Sequence, residues 1–126
     1  MAKKKPEAVN WKERELKDWN ATTFRAYLKD MHEEHFGIPY VTNNYGMEGK
    51  LIKTMYEEHG QEITKQFIDR CMEEYKPTEQ YPGINFAFMY SYMRNRVLPK
   101  LLKKQVRQKR DEKIEKVNYE ELADYL

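Results

Sequence analysis

Apolar residues recur at intervals of three and four along most of this chain, and no segment alternates apolar and polar residues over a useful length. That regularity restricts the fold more than any other feature. A stripe of period 3.6 buries one side of a helix, whereas strict alternation buries one side of a strand. In "NATTFRAYLKDMHEEHFG", Phe24, Tyr27, Leu28, Met31 and His35 fall on one such stripe. Asn20 or Thr22 can cap its start, and Gly37 with Pro39 ends it. "IPYVTNNYG" is rich in turn residues, so 38–46 reads as a loop. A second helix runs from about Met47 to His59 with Leu51, Ile52, Met55 and Tyr56 on one face, and Gly60 stops it. A third follows from Gln61 or Glu62 to about Tyr75, turning Ile63, Phe67, Ile68, Cys71 and Met72 inward. After "KPTEQYPG", a loop with two prolines, a fourth helix starts near Ile84 or Asn85 and buries a subset of Phe86, Phe88, Met89, Tyr92, Met93 and Val97. The expected fold class is all-α, a compact bundle of four to five helices.

Pro99 interrupts the last of these patterns. It lacks an N–H and its ring crowds the preceding turn, so the long C-terminal helix is expected to kink there or to end and restart. The basic stretch beyond it continues as helix to about residue 116, with Val97, Leu101 and Leu102 extending the apolar stripe.

The 126 residues suffice for one domain. Hydrophobic content of 40% against 35% charged marks a polar chain, and 13% aromatic residues is too rich for a disordered one. No apolar run approaches the roughly 18 residues of a membrane span. The N-terminal "MAKKKPEAVNWKERELKDW" is basic without an apolar stretch to follow, unlike a secretory signal. The lone Cys71 excludes an internal disulfide and fits a reducing cytoplasm.

A formal net charge of +2 conceals strong segregation. Residues 1–17 carry +3, residues 18–93 carry −5, residues 94–110 carry +8, and residues 111–126 carry −4. Three regions follow: a polar basic arm over 1–19, a helical domain over 20–110 and an acidic tail over 111–126.

Catalytic and metal signatures are thin. In "HEEH", His32 and His35 stand three apart rather than the four of a zinc-protease helix, with no further clustered ligand. A helix end with His35 partly packed and His32 solvated is the simpler expectation. Cys71 is core-facing, as a structural thiol would be. "NNYGMEG" lacks the spacing of a phosphate-binding loop and has no strand before it, so Asn43 or Asn44 serves as a helix cap. The pair of helices joined at Gly60 has too short a connection for a helix-turn-helix, and Glu62, Asp69, Glu73 and Glu74 would carry negative charge toward phosphates. No cofactor and no enzymatic activity are expected.

"RNRVLPKLLKKQVRQKR" is the exception. Arg96, Lys100, Lys103, Arg107 and Arg110 recur every three or four residues, and Arg94, Lys104 and Lys109 flank them. A stripe unbroken by acids suits phosphate tracking. Tyr90 and Tyr92 beside it would stack bases where exposed, and Tyr90 is counted with the nucleic-acid-binding set. The tail "YEELADYL" sets Tyr119, Leu122, Tyr125 and Leu126 among three acids. These are docking residues for the basic stripe in the absence of nucleic acid, or for a partner's groove.

The segment "GKLIKTMYEEHGQEITKQFIDRCMEEYKPTEQYPGINFAFMYSYMRNRVLPKLLKK", residues 49–104, resembles the helical end of small phage replication proteins, the replisome organisers and related helicase-loading accessory proteins. The shared elements are a Lys-rich helix, "HG" at the junction, an "FID" helix, a Pro-containing loop and an aromatic helix ending near "LPKLL". The resemblance implies a role around DNA replication, contacting DNA (rather than RNA) or a replicative helicase, and supplies no catalytic residue. The expected function is a non-enzymatic nucleic-acid-binding accessory factor. The alternative is a phage protein-interaction module that binds or inhibits a host or phage protein through the basic helix or the acidic tail.

Overall fold

The chain was analysed as a computed structural model, which describes the backbone of residues 10–125 and the side chains of residues 10–113. Every regular element among the described residues is helical. Helix α1 spans Ala21–Phe36, α2 spans Tyr45–His59 and α3 spans Gln61–Glu74. The last helix, α4, opens as one α turn over Phe86–Phe88, widens into a π segment over Met89–Met93, and continues as α-helix over Arg94–Tyr125.

Local chemistry fixes the boundaries. The Asn20 side chain accepts the backbone N–H of Thr23 at 3.0 Å while the Thr23 hydroxyl accepts that of Asn20 at 3.3 Å, a reciprocal capping box. Gly37, at φ 74°, closes α1 by donating to the Glu33 carbonyl. Asn44 caps α2 by accepting from Met47 N–H at 2.9 Å, so α2 begins two residues earlier than the periodicity implies. Gly60 alone makes the corner between α2 and α3. Its φ of 93° and ψ of 160° lie where a residue with a Cβ is strained. Its N–H bonds back to Tyr56 while its carbonyl takes the N–H and hydroxyl of Thr64. The two helices form a packed hairpin, not a reading head.

The core is one cluster with α3 at its centre, packed against α1, α2 and α4. Phe24, Leu28, Ile52, Phe67, Ile68, Cys71, Phe86 and Met89 are wholly removed from solvent. At roughly 1.5–3 kcal/mol per buried side chain, this burial is the main drive to fold. Cys71 sits among them, and burial, reinforced by Glu74 and opposed by Arg96, pushes its thiol up to about 12. It is a packing residue rather than a nucleophile.

Two expectations are corrected here. The basic arm does not extend to residue 19. Residues 11–13 and 16–18 form single 3-10 turns, and Trp11, Leu16 and Trp19 pack on the core. Trp19 is buried, donates its indole N–H to the Arg14 carbonyl at 2.9 Å, and meets Phe24 edge-to-face. Indole burial with a satisfied N–H holds the segment down, although it has no helical period. Second, of the two alternatives at Pro99, the end and restart is the one removed: the expected long C-terminal helix runs through Pro99. Pro99 and Asn95 are both exposed, so the carbonyl that loses its intrahelical donor lies on the solvent side, where water can satisfy it. The backbone of α4 also runs on over 111–125, so the acidic segment continues the helix. The Lys3–Lys5 arm and the side chains of Tyr119, Leu122, Tyr125 and Leu126 lie outside the described residues.

Candidate nucleic-acid interface

The start of α4 is fastened by polar side chains from three other places in the chain. Ile84 N–H donates to His32 Nε2 at 3.1 Å, Phe86 N–H to the Tyr40 hydroxyl at 2.7 Å, Ala87 N–H to Glu48 Oε2 at 3.0 Å and Phe88 N–H to Asn85 Oδ1 at 2.9 Å. The last three are donors that a helix leaves orphaned at its first turn, and Ile84 lies just before the Asn85 cap. The Tyr40 hydroxyl in turn donates to Glu48 Oε1 at 2.8 Å, so both carboxyl oxygens of a fully buried glutamate are acceptors. An acidic group at a helix N-terminus is favourably placed. Burial and the neighbouring Glu48 raise the Tyr40 phenol well above its ordinary value.

His32 completes this latch. It is buried, and its other nitrogen, Nδ1, faces the Ile38 carbonyl at 3.1 Å. A carbonyl can only accept and an amide N–H can only donate, so the ring is neutral with its proton on Nδ1. Gly83 makes the approach possible, because a Cβ there would stand 2.5 Å from His32 Nε2. The sequence expectation is thereby reversed: His32 is the packed histidine and His35 the exposed one. With both ring nitrogens engaged, His32 offers nothing to a metal. Among the described residues no group of three or more His, Cys, Asp or Glu is arranged to hold one.

Beyond the latch, Met89, Met93, Val97, Leu98 and Leu101 hold one face of α4 in the core. The cations on the other faces divide into distinct groups. Arg94 lies with its guanidinium 4.1 Å from the Tyr90 ring centroid and its Nε on the Tyr90 carbonyl. Arg96 pairs with Glu74 at 3.3 Å, and Glu74 also meets Arg70 at 3.8 Å, so this cation is partly neutralised. Lys104 borders a polar groove against α3 together with Glu62, Gln66 and Gln108. Lys100, Lys103, Arg107, Lys109 and Arg110 are exposed and pair with no acid among the described residues. At 3.6 residues per turn, Arg96, Lys100, Lys103, Arg107 and Arg110 fall within an arc of about 80°, and Lys109 points away from it.

The aromatic expectation needs correction at one position. Tyr90 is half-buried, packed against the core and covered by Arg94, so its face is not available. Tyr92 is 73% exposed and Phe88 37%, their ring centroids 5.0 Å apart. Tyr92 stands one turn before Arg96, so the outward stripe begins with an aromatic ring and continues as cations.

Acids gather elsewhere. A groove of about 420 Å³ between α1 and α3 is lined by Tyr27, Met31, Glu34, His35, Asp69 and Glu73. The Tyr27 hydroxyl donates to Asp69, which also receives Lys65 at 3.2 Å. Burial first, then the Asp69 bond, raises the Tyr27 phenol. No described helix is long and apolar enough to cross a membrane. No family model, curated protein or solved structure matches this chain.

Proposed function

We propose that this chain is a non-enzymatic nucleic-acid-binding factor that contacts phosphates through the outward stripe of α4. One observation carries the reading: Lys100, Lys103, Arg107 and Arg110 share an exposed face without acid partners among the described residues, on a helix that is anchored in the core through Met93, Val97, Leu98 and Leu101 and is exposed on all sides from residue 106 to 113. No acid among the described residues neutralises these charges, and a row of cations releases counterions from a polyanion. The resemblance of residues 49–104 to phage replication accessory proteins supports a setting in phage DNA replication, with DNA as the favoured nucleic acid and a replicative helicase as a protein partner. Binding is mainly electrostatic and poorly specific for sequence. Four phosphate contacts on a single strand give a slope of log affinity on log salt near about −3. The test is fluorescence anisotropy with labelled DNA and RNA at several salt concentrations. The quadruple variant K100E/K103E/R107E/R110E should lose binding at low salt; unchanged affinity would overturn the reading.

A second reading has its own observation. Val41 and Tyr81, 68% and 62% exposed, flank an apolar cleft of about 310 Å³ between the loops at 38–41 and 80–85. Apolar surface of this kind suits a protein partner, in keeping with an interaction module. V41D and Y81D variants that lose a replication-protein complex but keep DNA affinity would favour it.

A further inference from the structure

We propose that the groove beside Tyr92 seats an unstacked nucleobase, so that the ligand of α4 is a single strand rather than a duplex; this rests on the stripe of α4 being the phosphate-contacting face. The groove holds about 330 Å³ and lies between the end of α3 and the first turns of α4. Tyr75, Phe88, Tyr92 and Met93 supply apolar wall, while Lys76 and Arg96 stand at its border. Phe88 is buttressed edge-on by Tyr75, with centroids 5.8 Å apart, and the Tyr75 hydroxyl is tied to the Tyr81 carbonyl at 2.7 Å. The platform under Tyr92 is therefore braced by packing and a hydrogen bond, while Tyr92 itself is the most exposed of the large apolar side chains among the described residues.

Charge decides what enters and in which direction. Glu74 lines the groove and already holds Arg96 and Arg70. A phosphate placed there would meet a carboxylate, whereas the face of a base would not. The cations without acid partners begin one turn further on, at Lys100, and continue at Lys103, Arg107 and Arg110, each about 5 Å along the axis from the last. The strand thus lies with a base on Tyr92 and its backbone running toward the C-terminal end of the stripe. Stacking on an aromatic face tolerates any base, in line with weak sequence preference. In a duplex the base faces are already stacked, and presenting one to Tyr92 requires flipping it out. That cost sets the preference for single strands.

The experiment is a salt-titrated anisotropy measurement on the full chain with fluorescein-labelled single strands of about 16 nucleotides and the matching duplex. Wild-type protein should favour the single strand. Tyr92→Leu, which keeps apolar bulk at an exposed position but removes the ring, should weaken single-strand binding about ten-fold, with duplex affinity and salt slope unchanged. Tyr92→Trp should restore it. Equal wild-type affinity for duplex and single strand, or full single-strand affinity in Y92L, overturns the base-seating groove. If Y92L is silent while K100E/K103E/R107E/R110E abolishes binding, the groove fails and the phosphate stripe stands. If the quadruple variant binds normally, the stripe and the groove fall together.

Discussion

The two ends of α4 use the same helix for opposite purposes. Over residues 84–88 nearly every polar group is spoken for: four backbone donors are received by His32, Tyr40, Glu48 and Asn85, two of these side chains wholly or almost wholly buried. Over residues 100–110 five long cations, Lys100, Lys103, Arg107, Lys109 and Arg110, pair with no acid among the described residues. Where burial is deep, an unmade bond costs more than a made one contributes, so the latch is over-determined. Where solvent is near, a charge costs little to leave unpaired, so the stripe is open to a ligand. The lesson is a division of labour: the fold spends its polar specificity on placing the helix, and the outward end of that helix presents charge. Variants at the two ends should therefore separate stability from binding.

The largest expected effect is at Glu48. Glu48→Ala strands the Tyr40 hydroxyl and the Ala87 N–H in the interior, and the loss should be about 3 kcal/mol or more in chemical denaturation. Glu48→Gln keeps one acceptor and should fall between. If E48A unfolds at the wild-type midpoint, the latch is not what secures α4. Gly83→Ala comes next. Its Cβ would meet the His32 ring at 2.5 Å, and displacing a buried side chain by that much should cost about 1–3 kcal/mol. The companion variant G83A/H32A removes the clash but leaves the Ile84 N–H unpartnered, so it should not recover wild-type stability in the same denaturation assay.

These effects also mark where sequence reading stops. The stripes of α1, α2 and α3 and the caps at Asn20, Gly37 and Gly60 follow from intervals of three and four and from neighbours a few residues apart, so they were legible. Glu48 was not, because a glutamate on a helix carries no sign of burial until Ala87, distant in the chain, is seen to need an acceptor. His32 and His35 both fit the stripe begun by Leu28; Ile38 and Ile84, on other elements, decide between them. Trp11 and Trp19 pack through 3-10 turns too short to show a period. Tyr90 and Tyr92 were separable by spacing alone: Tyr90 stands four residues after the buried Phe86, on its face of the helix, and Tyr92 six residues after it, turned away. The basic stripe was legible as a pattern, and its subdivision was not: Glu74 on Arg96 and Tyr90 under Arg94 are tertiary facts.

Alkaline pH offers a third, intermediate probe, because it acts on the buried end. Tyr40, Tyr27 and Cys71 are all raised by burial, so each holds its proton in the folded state beyond the pH at which the unfolded chain releases it. The folded form then binds more protons, and stability falls as pH rises. It should be intact below about pH 8 and decline from about pH 9 upward, near the unfolded values of cysteine and tyrosine. Tyr40→Phe removes one contributor at the latch. It should lower stability at neutral pH by about 1–2 kcal/mol, since the Phe86 N–H and Glu48 each lose a partner, and should flatten the alkaline decline. Denaturant midpoints measured across this range for both proteins decide the matter; a wild-type midpoint independent of pH would refute the assignment.

The smallest expected change in stability is at the other end of the helix, and its smallness is what the comparison needs. K100E/K103E/R107E/R110E alters four exposed side chains that pair with no acid among the described residues. Replacing repelling cations by repelling anions leaves the mutual term similar, and solvent screens most of it. The thermal midpoint should move by less than about 3 °C. The same four changes are expected to abolish nucleic-acid binding, so melting and anisotropy on one preparation test both halves of the argument. A midpoint that falls as far as in E48A would mean that the stripe contributes to folding, and the separation between an anchoring end and a presenting end would be lost. A midpoint that holds while binding disappears leaves the latch and the stripe as independent parts of one helix, each removable without the other.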